Sequence, residues 1–104
     1  MLKQNELLDY LHQYNDTKLP KGLAFVGLFG SYARNEQDKY SDIDITYTMD
    51  HMIFYKDNAF KKLIALEEIK KDLEKQLQHK VDLIPANTKN ISLRKSLEEE
   101  QILL

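Results

Sequence analysis

The chain has 104 residues, and its 15 lysines and arginines against 17 aspartates and glutamates leave a formal net charge of −2. That balance argues against a general electrostatic grip on DNA or RNA, and the absence of cysteine excludes disulfides, thiolate metal sites and cysteine nucleophiles together. A chain of this length closes over one thin core, so residues 1–104 are expected to form one domain, with little chain left for a second that grips a substrate.

The first residues, Met1-Leu2-Lys3-Gln4-Asn5-Glu6, lack the basic and then continuously apolar pattern of a signal peptide, and no apolar run reaches membrane-spanning length. A soluble, cytoplasmic protein without membrane contact is the expectation. Leu7, Leu8, Leu11 and Tyr14 recur at helical spacing behind Asn5, which predicts a helix over about 5–15 with Asn5 as its N-cap, ended by the stretch that holds Pro20 and Gly22. The apolar run from Leu23 to Phe29, bounded by turn residues, predicts a buried strand.

Gly30-Ser31 is then predicted to open a short helix reaching Arg34 or Asn35, and the polar residues up to Ser41 a loop. Asp42 to Met49 alternate in the period-two manner of a strand. From Asp57 onward, Phe60, Leu63, Ile64, Leu66, Ile69, Leu73 and Leu77 lay down an apolar stripe between lysines and glutamates, the pattern of a long helix whose stripe is core. Val81 to Pro85 predicts a third strand, and Ile91 to Leu104 a C-terminal helix. Its last residues, Ile102-Leu103-Leu104, either close the core or form a subunit interface, so a homo- or hetero-oligomer stays open. The fold class is therefore α+β: a small mixed β-sheet covered by helices, the first two strands antiparallel and the third added through a crossover helix.

Three features of this order carry chemistry. Gly30 and Ser31 stand where a strand ends and a helix begins, so free N–H groups, a hydroxyl and the lack of a side chain at Gly30 favour a phosphate. Asp42 and Asp44, two apart on a strand, point to one face and repel unless a cation lies between them; magnesium suits such oxygen ligands. Asp82, alternating with Val81 and Leu83, projects from a third strand toward the same face. Three carboxylates beside a phosphate cradle describe a two-metal phosphoryl-transfer site.

Gly30-Ser31, ten intervening residues and then Asp42-Ile43-Asp44 resemble the signature of the DNA polymerase beta-like nucleotidyltransferase superfamily. The fuller run Gly30-Ser31-Tyr32-Ala33-Arg34 with Ser41-Asp42-Ile43-Asp44-Ile45 is similar to its minimal nucleotidyltransferase branch, many of whose members are antitoxins paired with HEPN-domain toxins. One departure is Asn35, where that branch usually carries glycine. The resemblance implies a polymerase beta palm-like fold and transfer of a nucleoside monophosphate from ATP or another NTP to an acceptor hydroxyl. It implies that Gly30 and Ser31 hold the triphosphate and that Arg34 neutralises it. Asp42 and Asp44 would ligate two magnesium ions, for which manganese can substitute, and Asp82 would join them as third ligand and help activate the acceptor. A HEPN toxin is the implied partner.

Plainer readings stand beside these. Arg34 can be a surface arginine paired with Glu36 or Asp38, and His12, His51 and His79 have no metal-ligand spacing, which assigns them to packing or solvent. The alternatives to protein adenylylation are a non-catalytic antitoxin of the same fold, binding its partner by contact alone, and transfer to a small molecule such as an aminoglycoside. The latter fits poorly with a chain too short for a separate acceptor domain.

Overall fold

The computed structural model describes residues 2–50 and 59–104. In chain order these form helix α1 (Gln4–Thr17), strands β1 (Leu23–Phe29) and β2 (Ile43–Met49), helix α2 (Ala59–Leu77), strand β3 (Val81–Pro85), helix α3 (Ile91–Glu100) and strand β4 (Ile102–Leu103). The strands make one mixed sheet in the order β3-β2-β1-β4. β1 runs antiparallel to β2 and to β4, while β3 runs parallel to β2, as a strand reached through a crossover must. Among the described residues no helix is long and apolar enough to cross a membrane.

The core lies between one face of the sheet and helices α1 and α2. Leu7, Leu11 and Tyr14 of α1 are buried there with Phe25, Leu28, Ile43, Ile45, Tyr47, Ile69, Leu73 and Val81. β1 carries a bulge between Phe25 and Gly27. The extra residue shifts the alternation by one, so that Phe25, opposite Tyr47, and Leu28, opposite Ile45, both face the core. Asn15 satisfies the backbone of Phe25 on both sides: its Nδ2 donates to the Phe25 carbonyl at 2.9 Å and its Oδ1 accepts the Phe25 N–H at 2.7 Å. Tyr14 stacks on the Phe25 ring at 5.6 Å, and its hydroxyl donates to Asp72 Oδ2 at 2.7 Å, tying α1 to α2.

Four expectations are corrected. Helix α1 starts at Gln4 behind Lys3, whose N–H is taken by Glu6 Oε1 at 3.0 Å; Asn5 lies inside the first turn, and its Oδ1 accepts the N–H of Glu6. Residues 30–35 form a single turn that closes at once and does not continue into a regular helix. The apolar stripe of α2 is core only in its C-terminal half, since Phe60, Leu63 and Ile64 are exposed while Ile69 and Leu73 are buried. Helix α3 stops at Glu100, and the chain turns extended at Gln101 to place Ile102 and Leu103 against β1. There Ile102 and Leu104 pack on the core while Leu103 is exposed. The expected start of α2 at Asp57, and His51, lie outside the described residues.

Candidate active site

The turns that follow β1 are one helical turn closed by a Schellman-type cap. Arg34 N–H donates to Gly30 O, Asn35 N–H to Tyr32 O and Glu36 N–H to Ser31 O, and Asn35 takes the left-handed conformation at φ 57°. The cap needs positive φ at this position, which glycine adopts freely and asparagine tolerates better than most other residues. Gln4 ties the same turn to α1, its Nε2 donating to Tyr32 O at 2.7 Å and Ala33 O at 3.2 Å. Tyr32 itself is fully buried, edge-on to His79 at 6.1 Å. His79 is a packing histidine whose Nδ1 lies 3.1 Å from Ser41 O.

The parallel register sets Asp44 opposite Asp82, with Ile43 opposite Val81 in the core behind them. The start of this ladder is fastened by Ile43 N–H donating to Lys80 O and Val81 N–H to Glu74 Oε2. Asp44 is also the partner of Phe29, the last residue of β1, so the chain enters the Gly30 turn directly beside it. Gly30 has φ 74°, and a Cβ built there would collide with Asp44 Oδ2. Only glycine brings the turn this close to the carboxylate. β2 begins at Ile43, which leaves Asp42 exposed just ahead of the strand; Asp44 and Asp82 are half-buried.

Burial pushes the Asp44 carboxyl up to about 6, and the neighbouring charges of Asp82 and Asp42 push in the same direction against a smaller opposing pull from Arg34. Asp42, Asp44 and Asp82 together offer an all-oxygen, anionic donor set of the kind that hard divalent cations such as magnesium and manganese accept. Among the described residues, however, no group of three or more His, Cys, Asp or Glu side chains is gathered closely enough to hold a metal ion as it stands.

The structure thus brings Gly30, Ser31, Asp44 and Asp82 to one end of the sheet, with Asp42 at its lip. Arg34 is exposed at the same end, its Nε 3.3 Å from Glu36 Oε2 and its Nη1 3.6 Å from Glu100 Oε2. The pairing with Glu36 follows from sequence proximity; the pairing with Glu100 does not. Nor does the contact of fully buried Thr46, two residues beyond Asp44, whose Oγ1 donates to Gln101 Oε1 at 2.7 Å. Two cavities of about 410 and 450 Å³ lie elsewhere, one beside Tyr14, Pro20 and Ile69 and one beside Tyr47, Pro85 and Lys89, and no aspartate of this cluster lines either.

Comparison with known proteins accords with this geometry. A family model described as the nucleotidyltransferase domain matches residues 8–104. A relative from Methanocaldococcus jannaschii, named "Putative protein adenylyltransferase MJ0128", is 44% identical over 100 residues, which cover 94% of each chain. A chain in a structure described as "Crystal structure of the toxin-antitoxin with AMP-PNP" is similar at 27% identity and a TM-score of 0.63, over 98% of this chain and 72% of that one. A "putative minimal nucleotidyltransferase" shares the fold at a TM-score of 0.73 and 23% identity, over 99% of this chain and 97% of that one.

Proposed function

The chain belongs to the nucleotidyltransferase domain family, and on that footing we propose that it transfers AMP from ATP to a hydroxyl of a partner protein, acting as the antitoxin of a HEPN-domain toxin. The observation that carries this reading is the register that sets Asp44 against Asp82 with the side-chain-free Gly30 turn packed on Asp44. The name of the archaeal relative supports a protein acceptor, and the toxin-antitoxin structure with AMP-PNP supports an adenine nucleotide and a toxin partner.

On this reading Gly30 and Ser31 receive the triphosphate through backbone N–H groups and the Ser31 hydroxyl, and the Arg34 guanidinium draws charge from it as pyrophosphate departs. Asp42, Asp44 and Asp82 are the residues that would hold two magnesium ions, or manganese in their place, and such ions would supply positive charge against the phosphates. Asp82, at the outer strand, also takes up the proton of the acceptor hydroxyl as that oxygen bonds to the α-phosphorus and the bond to pyrophosphate breaks. Asp44 must be ionised to ligate a cation, so the affinity of the free chain for a divalent ion should weaken as pH drops below about 6, where protons compete for the carboxylate. Residues 1–104 act as one catalytic domain in this scheme, and the acceptor is held by its own protein.

One observation favours the second reading, a contact-only antitoxin: the three aspartates are not gathered into a ready metal cluster. A single experiment separates the two. The full chain is incubated with a HEPN-type partner, isotope-labelled ATP and magnesium, and intact mass is measured. Addition of AMP to the partner, lost in the Asp42→Asn/Asp44→Asn double variant, supports transfer. Complex formation with no added mass supports contact alone.

A further inference from the structure

Helix α3 ends on Glu98-Glu99-Glu100 with no basic residue in its last turn. The carbonyl end of a helix repels carboxylates, so the helix by itself gives no reason for an acid at its final position. What holds Glu100 there is the next stretch of chain. Gln101 N–H donates to Leu97 O at 3.0 Å, its side chain accepts from Thr46, Ile102 and Leu103 pair with β1, and Leu104 N–H donates to Val26 O at 2.8 Å. Gly27 opposite is a residue whose Cβ would strike the Ile102 carbonyl. Anchored on four successive residues, the end of α3 delivers the Glu100 carboxylate to Arg34 from the far end of the sequence.

We propose that Glu100 is a positioning residue that occupies Arg34 while no nucleotide is bound, standing in for a phosphate oxygen, so that the triphosphate binds by displacing Glu100 from the guanidinium. This rests on the nucleotidyl-transfer reading of the site. The planar guanidinium donates to carboxylate and phosphate oxygens in the same geometry, so the two anions compete for one group. Both partners are about half exposed, with side-chain accessibilities of 44% and 43%, and such a pair resists displacement only modestly. Glu36 also pairs with Arg34, but it belongs to the same turn and accompanies the arginine. Among the described residues, Glu100 is the acid that links the arginine to the C-terminal segment.

The test is calorimetric titration of the full chain with magnesium–ATP, comparing the parent with Glu100→Gln, Arg34→Gln and the double variant, and with unfolding midpoints measured alongside. Glu100→Gln is expected to tighten binding about two- to fivefold. In the Arg34→Gln background the same change should have no effect, a dependence that a purely structural role of Glu100 does not produce. Unchanged or weaker binding in Glu100→Gln overturns the proposal, as does tightening that persists without Arg34, which is general repulsion of the nucleotide. If the parent fails to bind magnesium–ATP at all, the reading of the site falls and the proposal with it; if the parent binds and only the Glu100 dependence fails, the site reading stands.

Discussion

Replacing Asp44 by Asn should make the protein more stable at neutral pH while removing its activity. The Asp44 carboxyl is raised from its ordinary 3.8 to about 6 by burial and by Asp82 and Asp42, so the folded chain holds this charge at a cost that the unfolded chain does not bear. At about 1.4 kcal/mol for each pH unit the full cost is about 3 kcal/mol, and for a half-buried group screened by solvent about 1–2 kcal/mol. Because the folded value lies above the unfolded one, the cost is present in full above pH 6. It shrinks as the pH falls from 6 toward 3.8, where the folded chain is protonated and the unfolded chain is not yet, and it is gone below that range. Asparagine, neutral throughout, removes the cost. Thermal unfolding of parent and variant should therefore differ in favour of Asp44→Asn at pH 7.5, by roughly 4–8 °C for each kcal/mol in a domain of this length, and should converge near pH 4. Added magnesium should raise the midpoint of the parent and leave the variant unmoved. A variant that melts below the parent at pH 7.5, or a difference that is the same at both pH values, refutes the account of Asp44 as a carboxylate that burial and its acidic neighbours make costly to ionise.

Gly30→Ala forces a side chain onto Asp44 and a non-glycine residue to φ 74°, and denaturant unfolding should show a loss of about 1–3 kcal/mol, with weaker ATP binding in titrations. Thr46→Val leaves Gln101 Oε1 without its buried donor and should lose about 1–2 kcal/mol in the same assay; the full stability of the parent in this variant would count against the anchoring of β4 through Gln101. Asp82→Asn should keep most of the nucleotide affinity and lose turnover by about a hundredfold or more, read as kcat against KM in a labelled-ATP assay. A variant with parental turnover would reduce Asp82 to a strand residue of no chemical consequence.

Much of the sheet was legible because local pattern and tertiary position agree. The alternation in Asp42 to Met49 and in Val81 to Leu83 gives both the strands and the common face of Asp44 and Asp82, since a period of two leaves no other choice. The bulge in β1 was hidden because the apolar run from Leu23 to Phe29 reads the same with or without an inserted residue. Strand β4 was hidden for another reason: the helical pattern of residues 91–100 continues without punctuation into Gln101, and only the free edge of β1 draws Ile102 and Leu103 out of it. The stripe on α2 predicted burial along its whole length from spacing alone, whereas Phe60, Leu63 and Ile64 are exposed and only Ile69 and Leu73 of the stripe are buried in the core, with Leu66 and Leu77 packed against it. At the site, a glycine at the turn after β1 can be read from the motif, while its packing on Asp44 and the reach of Glu100 to Arg34 join residues that no sequence window pairs.

The parallel pairing of β2 with β3 also sets when the two facing aspartates meet. Strands β1 and β2 are nearer in sequence than β2 and β3, which are separated by the whole of α2, so pairing β3 with β2 closes a longer connection. Closing so long a connection comes late on the way to the folded state, because the entropy is lost before the contacts form. The burial of the Asp44 charge beside Asp82 is then incomplete at the folding barrier, and most of its cost arises beyond it. Removing that charge should leave the rate of folding nearly as it was and lengthen the lifetime of the folded chain, so that in stopped-flow measurements the gain in Asp44→Asn appears on the unfolding limb.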